Sequence, residues 1–584
     1  MEKEGESMKS TKTAAAAALL VAAMLTVTAC SDNSNTTNEA KNAASTNTQT
    51  NENAPKKAVE EQPADPLGAY AEALTISTIA ETNPEDKFPE GDSYEDNAYK
   101  RFLEKTLNVK VNYKWTAPVG DSYNNKFNLM IQSNDLPDVF VVRAQGSTPA
   151  KVFLNRLAEN GMLEDLSSVY ESYAAEGVKD VYNSTNGEAL KEATYDGKLL
   201  ALPLVGETDS AAPVIWVRQD WLDKLKLPAP TTLADLETVA KAFMEQDPNG
   251  NGKPDEVGLP TSGKEMLSDG QPMGLDTFFW NEKSYPKYWV EGADGALVYG
   301  GVQPETKVAL GKLAAMYKAK IIDKEFALRD RNMASENLIG GTAGLMLGQW
   351  WAPFWPLGDA MKSDANSNWK AYTLKDAEGI TKAGSSYQTQ GYLVVRKGYE
   401  HPEVILKAMN IIDKSSSGEY EEINQLDMGT YKDGFKRDVY GIGGDIGYKD
   451  TVMRTVKKFR EIMAGKAGKD LLDPEETKIY EQIERDTAAP KKDMNDYIQK
   501  VAWLDGIGAI ADAKLDMQFN KFGDSTPTMD QKWTSLNDLQ TQAFLKIIMG
   551  KEQVDYFDTF VKDWMAKGGE QITKEVNEKY ASMK

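Results

Sequence analysis

A short loop carries oxygen-bearing side chains at alternating positions, and this spacing suits the coordination of a hard cation such as Ca²⁺. Six residues would provide the ligands, the fourth through its backbone carbonyl: Asp247, Asn249, Asn251, Lys253, Asp255 and Glu256. Two glycines within the run permit the tight turn that brings such ligands together. The sequence therefore predicts a structural calcium site, because no nucleophile or open acid–base pair stands nearby.

The loop departs from the helix–loop–helix calcium motif at its last ligand. Gly258 stands where that motif has a bidentate glutamate, so Glu256 would have to close the coordination sphere. A plain polar turn is the alternative, since Asn-Gly pairs are common in turns. The alternation of ligand types along the whole run favours the cation.

The single cysteine, Cys30, follows a leader that is first basic and then apolar over residues 14–27. A leader of this kind predicts a secretory signal, and its apolar run is shorter than the roughly 20 residues of a spanning helix. The ending Val27-Thr28-Ala29-Cys30 resembles the lipobox of bacterial lipoproteins. That resemblance implies cleavage before Cys30 and lipidation of its sulfur; the alternative is a chance core cysteine.

Residues 31–66 contain mostly Asn, Thr, Ala, Ser, Glu and Lys, with almost no aromatic or branched apolar side chain. Such a composition cannot bury enough surface to offset the ordering of its backbone, so we expect a disordered polar tether. At the start of the chain, the Glu-rich residues 1–7 suit a signal poorly. Met8 suits a start better than Met1, and the sequence leaves this open.

Composition restricts the partners and the number of lobes. The chain beyond the tether is longer than one hydrophobic core usually serves, so at least two lobes are expected. The net charge of −22 opposes binding to nucleic acid or to an anionic membrane surface. It favours neutral or cationic ligands and leaves the lipid as the only membrane attachment.

The sequence lacks the residues that several kinds of catalysis require. His401 is the only histidine, which excludes a His-rich zinc site. Its place before Pro402 predicts a surface role at a helix start, which argues against a Ser-His-Asp triad. The segment 250–253 lacks the spacing of a phosphate-binding loop. With 89 carboxylates, a glycosidase-type acid–base pair stays open.

Strand and helix patterns alternate along the chain, which predicts α/β units with a largely parallel sheet. Strands are predicted at 74–79, 109–113, 139–142 and 214–218, with helices around 99–106, 127–131 and 232–243. Thr232 is expected to cap the last of these helices, with Asp235 completing a capping box. Residues 415–490 and 530–584 are predicted to be rich in helix.

The lipobox, the tether, the strand segment 136–140, the segment 216–225 and the calcium loop together resemble the extracellular solute-binding proteins of the family 1 sugar-binding group. Over about residues 70–415 the chain is similar to the LplA-like lipoproteins and to the alginate-binding proteins of that group. The resemblance implies an α/β, two-lobed periplasmic-binding-protein-like fold with hinge crossings near 206–210 and 384–390. It also implies a ligand cleft between the lobes and an ABC importer as partner.

The expected organisation follows from that resemblance. It comprises a signal (1–30), the tether (31–66), an N-terminal lobe (67–205 plus about 385–415), a C-terminal lobe with the calcium loop (206–384) and a helix-rich region completing the lobes (416–584).

Segments similar to those of maltose-binding protein imply the ligand contacts, which are Arg143, Gln145, Glu207, Trp280, Asn281, Gln349, Trp350 and Trp351. Aromatic faces and planar polar groups suit the apolar C–H faces and hydroxyls of sugars. Trp350 is the expected stacking ring, with Trp351 and Trp355 as alternatives. Trp221 and Trp564 are expected in the core.

These observations together predict a lipid-anchored, monomeric substrate-binding protein on the extracytoplasmic face of the cell membrane. It would bind a carbohydrate, expected to be an oligosaccharide, without turnover and deliver it to an ABC permease. An exported carbohydrate-active enzyme and a ligand-sensing lipoprotein are the alternatives.

The lipid anchor is tested by Cys30→Ala. Because no sulfur would remain to be acylated, the variant should be released into the medium or stay uncleaved, as seen by fractionation and mass spectrometry. Normally processed Cys30→Ala protein in the membrane fraction would contradict lipidation.

Overall fold

The computed structural model describes residues 64–583, apart from 84–85, 87, 89, 146–147, 387–388, 417–418, 421–441 and 443–445. Cys30, the predicted signal and all but the last three residues of the predicted tether lie outside the described residues. In the part of the chain that is described, no helix is long and apolar enough to cross a membrane.

The strands, in chain order, are β1 Leu74–Thr82, β2 Val109–Pro118, β3 Val139–Val142, β4 Thr194–Tyr195, β5 Lys198–Leu199, β6 Leu202–Val205, β7 Val214–Arg218, β8 Trp289–Glu291, β9 Leu297–Tyr299, β10 Leu345–Gly348, β11 Trp369–Tyr372, β12 Thr381–Ser385, β13 Thr389–Val395 and β14 Leu515–Phe519.

The helices of the N-terminal half are Ala98–Leu107, Asp121–Ser133, Ala150–Glu159, Ser167–Tyr173, Glu176–Asn183, Glu188–Glu192, Gln219–Leu225, Leu233–Glu245 and Asp276–Asn281. Those that follow are Pro304–Lys318, Arg331–Ile339, Leu357–Ser363, Val404–Ser416, Thr451–Met463, Pro474–Ala488, Met494–Lys500, Gly508–Ala511, Pro527–Ile548, Tyr556–Trp564 and Glu570–Met583. A π-helical stretch, Val501–Ile507, joins two of them.

The predicted elements of the first 250 residues are confirmed. Each predicted strand overlaps one of β1, β2, β3 and β7, and the three predicted helices form. The helix Leu233–Glu245 begins with the predicted capping box, in which the Thr232 side chain accepts from the Asp235 backbone N–H. Trp221 and Trp564 lie in the core, with 2% and 0% of their surface exposed.

The expectation of a largely parallel sheet is wrong. β1 and β2 pair in parallel, as do β12 and β14, but the two three-stranded sheets are antiparallel. In one of them β13 runs between β3 and β6, and in the other β7 runs between β10 and β11. The cause is the long return of the chain, since β13 enters its sheet at the edge where β3 and β6 end.

Buried apolar side chains separate into distinct cores. The first core draws on residues 76–205 and 392–412 together with Ile442. The described chain forms three more cores, from residues 212–383 and 453–576. The second core includes Ile215 and Trp564, the third includes Trp216 and Trp280, and the fourth includes Phe459 and Trp503. We call the elements around the first core the first lobe, and those around the others the second lobe.

The described chain passes between the lobes three times. The crossing segments are 205–212, 383–392 and 448–453, since core membership changes within each of them. The third crossing was not predicted, because its sequence gives no strand or turn signal that marks a change of lobe.

A polar contact joins the lobes near the second crossing. Asn155 on the first lobe donates to the carboxylate of Asp524 on the second at 2.6 Å. Tyr195 in turn donates to the Asn155 side-chain oxygen at 2.5 Å, and Lys151 donates to the Tyr195 hydroxyl at 2.9 Å. Since Asn155 is only 2% exposed, this contact is sealed from solvent.

His401 lies just before the helix Val404–Ser416, as predicted. Its side chain is 44% exposed, its Nδ1 is 3.3 Å from Glu403 Oε1, and its ring stands edge-on to Tyr70. The ring therefore belongs to the surface at the start of this helix.

Candidate functional site

The edge of the first lobe that faces the crossings is formed by strand ends. β3 and β6 both run antiparallel to β13, so their carboxyl ends lie at the same edge. The first crossing leaves from the end of β6 at this edge, and the second crossing enters there into β13. In open α/β sheets, ligands bind beyond the carboxyl ends of strands, so this edge is the candidate site.

Arg143 and Gln145 lie at this edge, directly after β3. Both side chains are half-buried. The Gln145 backbone bridges to Thr148 by two hydrogen bonds of 2.9 and 3.0 Å, which fixes the turn after the strand. Its side-chain oxygen accepts from the Asn128 amide at 3.3 Å. Burial raises the pKa of Tyr123, and the positive charge of nearby Arg143 acts in the opposite direction with a smaller effect.

The second lobe presents its own strand ends to the crossings. β7 begins at Val214, just after the first crossing, and the last residue of the antiparallel β10, Gly348, pairs with it. The residues that follow β10, namely Gln349, Trp350 and Trp351, therefore lie at the edge that borders the first lobe.

The aromatic residues after β10 differ in their surroundings. The Trp350 ring packs against Trp503 at 5.4 Å between centroids and is shared between the third and fourth cores. Trp355 packs against the third core, and Phe354 is 46% exposed. Trp351 is half-buried and belongs to none of the cores. Of the three tryptophans after β10, Trp351 is thus the one whose ring packs in none of the described cores.

Gln349 holds Trp351 in place. The Gln349 side chain accepts from the Trp351 indole N–H and donates to the Asp269 carbonyl at 3.3 Å. Its backbone carbonyl accepts from the Trp216 indole at 3.0 Å. Because Gln349 is only 8% exposed and engaged in this way, it acts as a support for the ring.

Trp280 and Asn281 lie elsewhere than expected. Trp280 is 1% exposed and packs in the third core against Gly270 and Gly384, so its ring has no free face for a ligand. The Asn281 amide donates to the Thr277 carbonyl within its own helix. The sequence similarity correctly indicated an aromatic residue at position 280, but it could not indicate whether the ring is exposed. We therefore do not retain either residue as a ligand contact.

Glu207 joins two crossing segments. One carboxylate oxygen accepts from the Ser210 N–H at 3.0 Å, and the other accepts from the Val452 N–H at 2.8 Å. Val452 lies in the first turn of the helix Thr451–Met463, where backbone N–H groups lack helical partners. Burial raises the pKa of Glu207 to about 7, while these hydrogen bonds act in the opposite direction. Glu207 is thus a hinge residue in this structure.

The predicted calcium loop follows the helix Leu233–Glu245 and is closed by its own side chains. The carboxylate of Asp247 accepts from the N–H groups of Asn251 and Gly252 at 3.1 and 3.0 Å. Asn249 accepts from the Asn251 N–H at 2.9 Å, and Asn251 accepts from the Lys253 N–H at 2.7 Å. Among the described residues, no group of three or more His, Cys, Asp or Glu side chains is arranged to hold a metal.

Glu256 is nevertheless unsatisfied at the end of this loop. Both of its carboxylate oxygens are buried without a hydrogen-bond partner. Burial, and then the neighbouring charges of Asp247 and Asp255, raise its pKa. A buried carboxylate beside two others is costly unless a cation or a donor compensates it, so the donor set fits a hard divalent cation.

Comparison with known proteins places this arrangement in context. Residues 85–411 match the family described as bacterial extracellular solute-binding protein. Lipoprotein LipO of Bacillus subtilis is 23% identical over 490 residues, which cover 82% of this chain and 88% of that protein. The fructooligosaccharide ABC transporter substrate-binding protein FusA of Streptococcus pneumoniae is 33% identical over 162 residues, covering 26% of this chain and 29% of that one.

The fold is similar to that of a solved extracellular solute-binding protein from Bifidobacterium longum subsp. infantis. The TM-score is 0.56 and the identity 15%, over 87% of this chain and 98% of that chain. At this identity the similarity shows the fold, which is α/β and two-lobed.

The raised pKa of Glu207 predicts a specific pH dependence. A carboxyl whose folded pKa lies above its unfolded value of about 4.3 binds more protons when folded. Its contribution to the free energy of unfolding therefore falls as the pH rises from about 4.5 to about 7. Glu207→Gln removes this titration, so the melting temperature of the wild type minus that of the variant should fall between pH 5 and pH 7.5. A constant difference across this range would contradict the account.

Proposed function

This chain belongs to the bacterial extracellular solute-binding protein family, and from that premise we propose that it binds an oligosaccharide reversibly in the cleft between its lobes. The observation that carries the proposal is that a strand edge of each lobe borders the first crossing. One edge offers the planar polar groups of Arg143 and Gln145, and the other offers the ring of Trp351. The proposed contacts thus come from both lobes.

The chemistry of these groups favours carbohydrate. A sugar ring presents C–H faces to an aromatic surface and hydroxyls to amide and guanidinium groups. The indole N–H of Trp351 is already used by Gln349, which leaves the π-face as the surface available for stacking. A ligand that touches both lobes favours the closed form through its differential contacts, so binding and hinge closure are coupled.

The wider role follows from the family and from the leader sequence. We propose that the protein is attached outside the cytoplasm through lipid on Cys30 and delivers its ligand to an ABC permease, acting as a monomer without turnover. The similarity to a fructooligosaccharide ABC transporter substrate-binding protein supports this role. We place the lobe boundaries near residues 206 and 385, with a third change of lobe near residue 450, where core membership changes.

We also propose that the loop 247–256 binds calcium for structural purposes. The six predicted ligands would hold the ion, with Glu256 closing the site from its buried position. The positive charge of calcium would compensate the negative charge of this carboxylate, whose oxygens have no hydrogen-bond partner. The loop lies on the second lobe beyond the helix Leu233–Glu245, and its role is to hold that part of the lobe.

The proposed function is tested by isothermal titration calorimetry of the full-length protein in detergent. The panel comprises fructooligosaccharides, maltooligosaccharides, oligogalacturonides and alginate oligomers, with the matching monosaccharides as controls. We expect saturable binding of at least one oligosaccharide and no cleavage by chromatography. Cleavage would favour the enzyme alternative, and the absence of binding across the panel would contradict the proposal.

Trp351 and Trp350 form a matched pair for the stacking ring. Trp351→Ala should weaken oligosaccharide binding by on the order of 1–3 kcal/mol, the scale of a lost aromatic anchor, with the melting temperature nearly unchanged. Trp350→Ala should instead lower the melting temperature, because its ring packs on Trp503. The reverse pattern would assign the stacking role to Trp350.

Calcium binding is measured by thermal unfolding with calcium and with chelator. A ligand of the native state stabilises it by mass action, by about 2.7 kcal/mol when free calcium is roughly 100 times its dissociation constant. Glu256→Gln should unfold at a higher temperature than the wild type in chelator, since it removes an unpaired buried charge, and should respond less to calcium. An equal melting temperature of the wild type with and without calcium would indicate that the loop is a simple turn.

A further inference from the structure

The loop 268–273 lies among the crossings and the edge that carries Trp351. Gly270 in this loop packs against the Trp280 ring and the carbonyl of Ala211, which belongs to the first crossing. The Met273 N–H donates to the carbonyl of Leu347 in β10 at 2.8 Å. The loop therefore contacts both the first crossing and the strand that ends beside the candidate site.

Asp269 binds the second crossing from this loop. One oxygen of its carboxylate accepts from the Ser386 hydroxyl at 2.8 Å and from Lys287 at 3.2 Å. The other accepts from the Tyr288 hydroxyl at 2.7 Å. Ser386 lies in the second crossing, between β12 and β13, and so moves with any rotation of the lobes about that segment.

The same residue binds the support of Trp351. The backbone carbonyl of Asp269 accepts from the Gln349 amide, whose oxygen accepts from the Trp351 indole N–H. Ser386 thus bonds to the side chain of Asp269, Gln349 bonds to its backbone, and Trp351 bonds to Gln349, which links the second crossing to the candidate stacking ring.

The position of Asp269 is itself fixed by a buried partner. The carboxylate of Asp276 accepts from the N–H groups of Ser268 and Asp269 at 2.9 and 3.3 Å. Asp276 is 3% exposed. The Asp269 backbone has φ of 57°, in the left-handed region that Asp and Asn tolerate. Because the Asp269 backbone is held in this way, the geometry of its bond to Ser386 and that of its bond to Gln349 are set together.

We propose that Asp269 is a positioning residue that couples the orientation of the Trp351 ring to the second crossing. This inference rests on the proposed function, because it assigns the coupling to the ring that would stack on the oligosaccharide. Closure of the lobes would then set the ring against the ligand, and a bound ligand would stabilise the closed crossing through the same hydrogen bonds.

The alternative is that Asp269 only pins its own loop. A pin would affect Trp280, which packs on Gly270, but would leave Trp351 unaffected when the bond to Ser386 alone is removed. The two roles are therefore separated by a probe of the Trp351 ring.

The experiment uses the full-length protein labelled with fluorotryptophan and observed by ¹⁹F NMR without ligand. The Trp351 and Trp280 resonances are assigned with Trp351→Phe and Trp280→Phe. Asp269→Asn keeps the left-handed backbone but replaces one acceptor oxygen by a donor, and Ser386→Ala removes a single hydroxyl. Asp196→Asn is the matched control, since Asp196 also has a left-handed backbone, with φ of 49°, at an exposed turn of the first lobe.

We expect both Asp269→Asn and Ser386→Ala to shift the Trp351 resonance. The control Asp196→Asn should leave this resonance in place, and so should Ser386→Thr, because it keeps the hydroxyl. Shifts confined to Trp280, or no shift of Trp351 in Ser386→Ala, would overturn the coupling. Should Asp269→Asn fail to fold, the pair Ser386→Ala and Ser386→Thr decides the question alone.

A second measurement links the coupling to binding. With the oligosaccharide that the wild type binds tightest in the calorimetric panel, Asp269→Asn and Ser386→Ala should each raise the dissociation constant at least fivefold, and the double variant should add little more. Independent, multiplicative effects would overturn the coupling. Failure of the wild type to bind any oligosaccharide would instead refute the proposed function, and the ligand-free resonances would still decide whether Asp269 couples the ring to the crossing.

Discussion

The hydrogen bonds that join the first crossing segment to the third determine how the two lobes can meet. The N–H groups of Thr208 and Asp209 both donate to the Lys449 carbonyl, at 3.0 and 2.9 Å, and Gly447 donates to the Val205 carbonyl at 2.9 Å. Glu207 adds its two carboxylate bonds, and Lys449 pairs with Asp209 at 3.3 Å. Two segments that are distant in sequence therefore run side by side between the lobes and are tied to each other there.

This constraint explains why the functional groups converge. Since the crossings leave the first lobe at the ends of β3 and β6, the residues after β3 face the gap. The antiparallel pairing of β7 with β10 places the end of β10 at the start of β7, directly after the first crossing. Arg143 and Gln145 thus lie at the edge of the first lobe, and Trp351 at the edge of the second, on the sides that border the first crossing, because of strand direction. Their spacing in sequence, of about 200 residues, carries no such information.

Much of the fold could be predicted from local signals. The capping box at Thr232, the buried strand after Asp138 and the apolar face of the helix Leu233–Glu245 each depend on near neighbours, and each forms as predicted. Strand direction could not be predicted, because the pairing of β13 with β3 and β6 depends on where the chain returns after crossing the second lobe. The periodicity of apolar residues indicates which face of a strand is buried, but it does not indicate in which direction the strand runs in its sheet.

The types of residue at the candidate site could be predicted from the sequence, but the role of each residue could be predicted only in part. The resemblance selected the segment after β10, yet the sequence could not tell which of its tryptophans is free, since Trp350 is taken up by Trp503 from a helix that lies 150 residues further on. Similarly, Trp280 is buried by glycines at 270 and 384, and Glu207 is engaged by the third crossing, which no sequence signal marks. No sequence signal indicated a role for Asp269 either, because its partners come from four separate places in the chain, at residues 276, 287–288, 349 and 386.

If an oligosaccharide is held between the two strand edges, its binding should also be transmitted to the crossings. Hydrogen–deuterium exchange of the full-length protein, with and without a saturating oligosaccharide, measures this residue by residue. We expect slower exchange at 143–145 and 349–351, and also at the paired crossing segments 207–210 and 447–452. Protection confined to other parts of the chain, or no change at these edges on saturation, would contradict this expectation.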